Sequence, residues 1–134
     1  MEGFNPEDLS VNMADFDKEL TDQAANYFFV AQQAVEATTA FEQAKQKMEL
    51  LEAQLDARIR EQLAAKGQKA TEGQVAKLLI ATPSYQNAQS AILKLREVAD
   101  MAKKLESAWY MRASMLKALN QKLTNELSMA AMAA

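Results

Sequence analysis

An all-α protein is predicted by three observations: a seven-residue apolar repeat, a composition rich in helix formers, and a scarcity of turn residues. Leu20, Tyr27, Ala34, Phe41, Met48 and Leu55 recur at unbroken intervals of seven. Seven residues make almost two helical turns, so these side chains share one stripe of a continuous helix. Val30, Ala37, Ala44 and Leu51 form a second row that widens the stripe. Ala, Gln, Glu, Lys, Leu and Met dominate the chain, all residues with strong helix propensity. Only 3 Gly and 2 Pro occur in 134 residues, too few to turn the strands of a sheet.

Taken in order, residues 1–14 mix acids with Asn5 and Pro6 and carry only scattered apolar groups. They read as an acidic, flexible or loosely docked arm. A first long helix is expected over 15–66, free of Gly and Pro throughout. Gly67 suits a left-handed C-terminal cap, and Lys66 complements the helix dipole. After the polar loop at 67–71, Thr71 and Gln74 stand in capping-box register and open a short helix expected to bury Val75, Leu78, Leu79 and Ile80. Thr82-Pro83 ends that helix and starts the next, with Thr82 as N-cap and Pro83 at the first helical position. The last helix carries its own row of seven, Ala88, Leu95, Ala102, Trp109, Leu116 and Leu123. A companion row, Ala91, Val98, Leu105 and Leu119, is interrupted by Arg112. The helix is expected to stop near Ser128, with 129–134 a frayed tail.

The architecture this describes is two long helices joined by a short loop and a short helix. A rod of that length cannot bury its stripe alone: residues 18–64 would span roughly 70 Å. It must fold back as an antiparallel helical hairpin, find a second copy, or do both in a homo-oligomeric bundle or ring. One domain over 15–128 is expected to combine assembly with binding. Trp109, Leu116, Leu119 and Leu123 are the candidate oligomerisation seam, because they continue the apolar rows toward the end of the last helix.

Composition excludes several chemistries. Cys and His are both absent, so there are no disulfides, thiol nucleophiles, Cys/His metal sites or His-based catalytic arrangements. A binding protein rather than an enzyme is expected, with no cofactor and no metal. No apolar run approaches the roughly 20 residues of a membrane span, and the start of the chain lacks a signal-peptide pattern. A chain without cysteine suits the reducing cytoplasm.

Charge is unevenly spread. Residues 1–22 hold seven acids against Lys18, a balance of −6, whereas 45–122 hold fourteen Lys or Arg against eight acids, a balance of +6. The field near a surface follows this local distribution rather than the net −3. Arg58, Arg60, Lys66, Lys69 and Lys77 gather around the first turn, against Glu61 and Glu72. Single-stranded nucleic acid needs cations for its phosphates and flat faces for its bases. These five residues are therefore the candidate DNA-binding group. Arg58 and Arg60 stand about 200° apart around an ideal helix, so one of the two is expected to face a neighbouring helix.

Several stretches resemble the UvsY recombination-mediator proteins of tailed bacteriophages. They are Gln23-Ala24-Ala25-Asn26, the Met48-Glu49-Leu50-Leu51-Glu52-Ala53-Gln54 run, Ala57-Arg58 with its basic follow-on, and Leu78-Leu79-Ile80-Ala81-Thr82. The resemblance covers roughly residues 17–123 and lies in order and spacing. It implies a protein that binds single-stranded DNA, assembles into homo-oligomeric rings and helps a RecA-like recombinase displace single-strand-binding protein during recombination and repair. In that family the DNA-binding basic pair lies late in the first long helix, and Arg58 matches one member. The other falls on Asp56, a departure for which Arg60, two positions beyond Arg58, is the nearest substitute. The competing reading is a structural or chaperone-like coiled-coil scaffold, such as a prefoldin-like subunit, that binds only protein. Periodicity serves both readings equally.

Overall fold

A computed structural model describes residues 6–133, with side chains from Glu7 onward. The acids and apolar groups assigned to the arm at 1–5 lie outside the described residues. Among the described residues the chain is helical without strands, and its elements are two 3-10 turns followed by three α-helices. The turns are Pro6–Leu9 and Met13–Asp15; the helices are α1 (Phe16–Ala65), α2 (Glu72–Ala81) and α3 (Pro83–Ala133). The long helices thus begin and end where the sequence places them, except that α3 runs on past Ser128 to Ala133.

The chain divides into two compact units. The first lies within Met1–Val35 and Asp100–Ala134, the second is Glu36–Ala99.

In the second unit the connection between α1 and α2 is fixed by two caps. Gly67 takes φ +71°, a conformation that glycine adopts without strain. This lets the Gln68 N–H reach the Leu63 carbonyl at 2.9 Å and the Gly67 N–H reach the Ala64 carbonyl at 3.0 Å, closing α1 in a Schellman motif. Thr71 caps α2, its hydroxyl accepting from the Gln74 N–H at 3.2 Å. Behind the connection Ile59, Leu63 and Val75 form a buried cluster, with Ala70 and Leu79 packed against it.

Val75 and Leu79 are four apart and share one face of α2. Leu78 and Ile80, also expected inside, are 42% and 60% exposed because their positions point off that face. Val75→Ala is therefore expected to lower stability by about 2 kcal/mol, and Leu78→Ala by less than about 0.5 kcal/mol. Urea unfolding followed by circular dichroism reads both; equal losses would contradict the assigned face.

Thr82 holds the N-cap position of α3, with Pro83 the first helical residue, but its side chain does not cap that helix. Its carbonyl accepts the first bond of α3, from the Gln86 N–H at 3.1 Å. Its hydroxyl instead donates backward to the Leu78 carbonyl at 2.9 Å, and the Gln86 amide donates to the Ile80 carbonyl at 2.9 Å. The end of α2 is thus satisfied by side chains on both sides of Pro83.

The first unit packs the start of α1 on the end of α3. Val30, Ala34, Ala102, Trp109 and Leu116 are buried there, and Trp109 and Leu116 are each only 1% exposed. This corrects their assignment to an oligomerisation seam: both fill the core of their own chain. Leu119 and Leu123 are half-buried. The interruption in the companion row is also resolved, since Arg112 is itself buried.

Candidate nucleic-acid interface

The cationic group around the α1–α2 connection lies wholly within the second unit. Arg58, Lys66, Lys69 and Lys77 are exposed. Arg58 projects from the penultimate turns of α1, Lys66 and Lys69 flank the Gly67 cap, and Lys77 lies in α2. Ile59, Leu63 and Val75 beneath them anchor the backbone from which these flexible side chains extend.

Arg60 belongs to a different arrangement. Its Nε donates to Asp56 Oδ1 at 2.7 Å and its Nη2 to Glu72 Oε1 at 2.8 Å, so its charge is engaged by one acid a turn earlier in α1 and another at the start of α2. The hydrogen bonds to Asp56 and then to Glu72 push its pKa above the ordinary arginine value, so it remains a cation. Its role is to tie α1 to α2. Of the two arginines, Arg60 is the one that faces a neighbouring helix, and the Asp56 that breaks the expected basic pair is its partner. The exposed cations of the group are therefore Arg58, Lys66, Lys69 and Lys77, with Arg60 set apart by its two ion pairs.

A second polar arrangement, in the first unit, was not singled out as a site from the sequence. The Arg112 guanidinium donates through Nε to the Leu9 carbonyl at 3.0 Å, through Nη1 to Gln23 Oε1 at 2.6 Å, and through Nη2 to the Ser10 carbonyl at 3.1 Å. Nη2 also pairs with the Glu19 carboxylate. The cation lies over the Trp109 ring, 4.9 Å from its centroid. Gln23, also buried, passes the network on by donating to the Trp109 carbonyl at 2.7 Å.

Five fixed N–H groups in a planar fork explain why arginine suits this place. Within the described part of the acidic arm, Leu9 and Ser10 are docked through their carbonyls on Arg112. Asn12 stabilises the turn that follows, its Oδ1 accepting from the Ala14 N–H at 3.1 Å. The signal available in the sequence was Arg112 standing in an apolar row, which marks either an interruption or a buried charge with partners.

Among the described residues no group of three or more acids is disposed to hold a metal ion, and no helix is long and apolar enough to cross a membrane. Comparison with family models, curated proteins and solved structures found no match.

Proposed function

We propose that this chain is a non-enzymatic, single-stranded-DNA-binding accessory protein that acts as a recombination mediator, helping a RecA-like recombinase onto DNA covered by single-strand-binding protein. The observation that carries the binding step is the exposure of Arg58, Lys66, Lys69 and Lys77 around one capped helix connection. Cations on flexible stems above a rigid backbone suit phosphates that follow one another along a flexible strand. The role toward recombinase and single-strand-binding protein rests on the resemblance to the UvsY proteins.

Self-assembly, as a ring or bundle, belongs to the same proposal. It would repeat weak phosphate contacts along one strand and multiply their effect. With Trp109 and Leu116 inside the protomer, such assembly has to use other apolar groups, of which Leu127 and Met129 near the end of α3 are 72% and 70% exposed.

The test is a titration of fluorescent oligo(dT) and of a mixed-sequence oligonucleotide at several salt concentrations, with sedimentation of the free protein beside it. Similar affinities for both strands, a steep loss of affinity with salt and an oligomer in sedimentation are expected. No binding at low salt would overturn the proposal in favour of a protein-binding scaffold; a monomer at micromolar concentration would overturn the assembly step alone.

A further inference from the structure

We propose a second contact for single-stranded nucleic acid in the first unit: a groove in which Tyr110 stacks a nucleobase and Lys103 takes the adjoining phosphate. The inference rests on the binding function proposed above and adds to it a site separate in sequence from the cations around the α1–α2 connection.

Lys103, Glu106, Ser107 and Tyr110 follow one another at helical intervals of three, one and three, so they line one face of α3. Together with Tyr27 of α1 and Met111 they enclose an open groove of about 590 Å³. The Tyr27 and Tyr110 rings stand 6.0 Å apart between centroids and are tilted by 55°. Two rings so disposed form a corner rather than a closed stack, which leaves a ring face available to a third flat group.

Tyr110 is 65% exposed, so burial against its own chain does not account for a large aromatic side chain at this position. Trp109, one residue earlier and in the heptad row, is by contrast 1% exposed. Lys103 lies seven residues before Tyr110, about 10 Å along the helix axis. Both side chains lean toward the N-terminus, so this axial spacing is kept between the ring and the lysine stem.

The chemistry selects a nucleotide over other flat ligands. Methionine and tyrosine supply an apolar, polarisable wall for a base, and the ammonium group supplies the phosphate contact that a neutral aromatic ligand would not use. Of the charged residues that line the groove, Lys103 is the cation and Glu106 the anion, so the phosphate's place is at the Lys103 ammonium. Stacking on a ring face is tolerant of sequence, since every base has such a face. The site is therefore expected to add affinity without adding sequence preference.

The experiment uses the full chain with oligo(dT) carrying 5-iodouracil. Irradiation followed by peptide mapping is expected to place crosslinks on Tyr110 or Tyr27. Tyr110→Ala is expected to weaken oligo(dT) binding about tenfold, in the range found for lost base stacking. Tyr110→Phe, which keeps the ring, is expected to stay within about twofold of the parent on the same reasoning. Because Tyr110 is exposed, circular dichroism is expected to show both variants fully helical. Should Tyr110→Ala lose helicity, the crosslink map of the unaltered protein decides alone. Crosslinks confined to residues 58–77, or unchanged affinity of a folded Tyr110→Ala variant, would overturn the groove and leave the binding function standing. Failure of the unaltered protein to bind oligo(dT) would overturn both.

Discussion

Arg112→Ala is expected to destabilise the first unit by about 3–5 kcal/mol, the range for removing one partner from a buried ion pair. The loss comes from what remains rather than from the contact removed. Without the guanidinium, the Leu9 and Ser10 carbonyls, Gln23 Oε1 and the Glu19 carboxylate each lose a donor. The Trp109 ring also loses the cation that covers it. Arg112→Lys keeps the charge but not the fork, and its single ammonium cannot reproduce three differently directed donor groups. It is expected to fall between the alanine variant and the parent. Urea unfolding with circular dichroism measures the total. Faster proteolysis of the alanine variant at residues 6–15 would report release of the segment held by the two carbonyls. A loss below about 1 kcal/mol, the typical net value of one ordinary hydrogen bond, would show that the network is not a principal support of this unit.

The helices were legible in the sequence because their signals are local. Leu20, Tyr27, Ala34, Phe41, Met48 and Leu55 are all buried or half-buried, as their spacing requires. Gly67 and Thr71 cap the helices that their positions mark, since a cap depends on only a few neighbouring residues. The partner of each apolar stripe was not legible. A heptad states that a side chain must be covered without stating whether its own chain or a second copy covers it. That is why Trp109 and Leu116 could be assigned to an oligomer seam when they belong to the protomer core.

The candidate site was legible to the same depth. Arg58, Lys66, Lys69 and Lys77 are exposed around the turn where the sequence groups them. Asp56 four residues before Arg60 was a visible helical ion pair, with the acid on the favourable N-terminal side. Glu72 reaches Arg60 only after the Gly67 cap has turned the chain, a tertiary consequence that charge counting does not contain. Arg112 shows the same limit more sharply. Its partners at residues 9, 10, 19 and 23 lie about ninety or more positions away in sequence, and only the packing of α3 on α1 brings them together.

Replacing Arg58, Lys66, Lys69 and Lys77 together with alanine is expected to weaken oligo(dT) binding by about 100-fold or more at low salt. It is also expected to flatten its salt dependence. Each phosphate contact on a single strand contributes about 0.7 to the slope of log affinity against log salt, so four lost contacts lower that slope by almost 3. The four side chains are exposed, and the Ile59, Leu63 and Val75 cluster beneath them does not depend on their charges. Helicity and sedimentation are therefore expected to match the parent, which separates lost binding from lost structure. Arg60→Ala supplies the contrast: its guanidinium is already held by Asp56 and Glu72, so the salt slope is expected to change by much less than 0.7. A slope that falls with Arg60→Ala and survives the fourfold change would move the phosphate contacts away from the exposed cations. It would then be the ion-paired arginine that exchanges Asp56 and Glu72 for DNA.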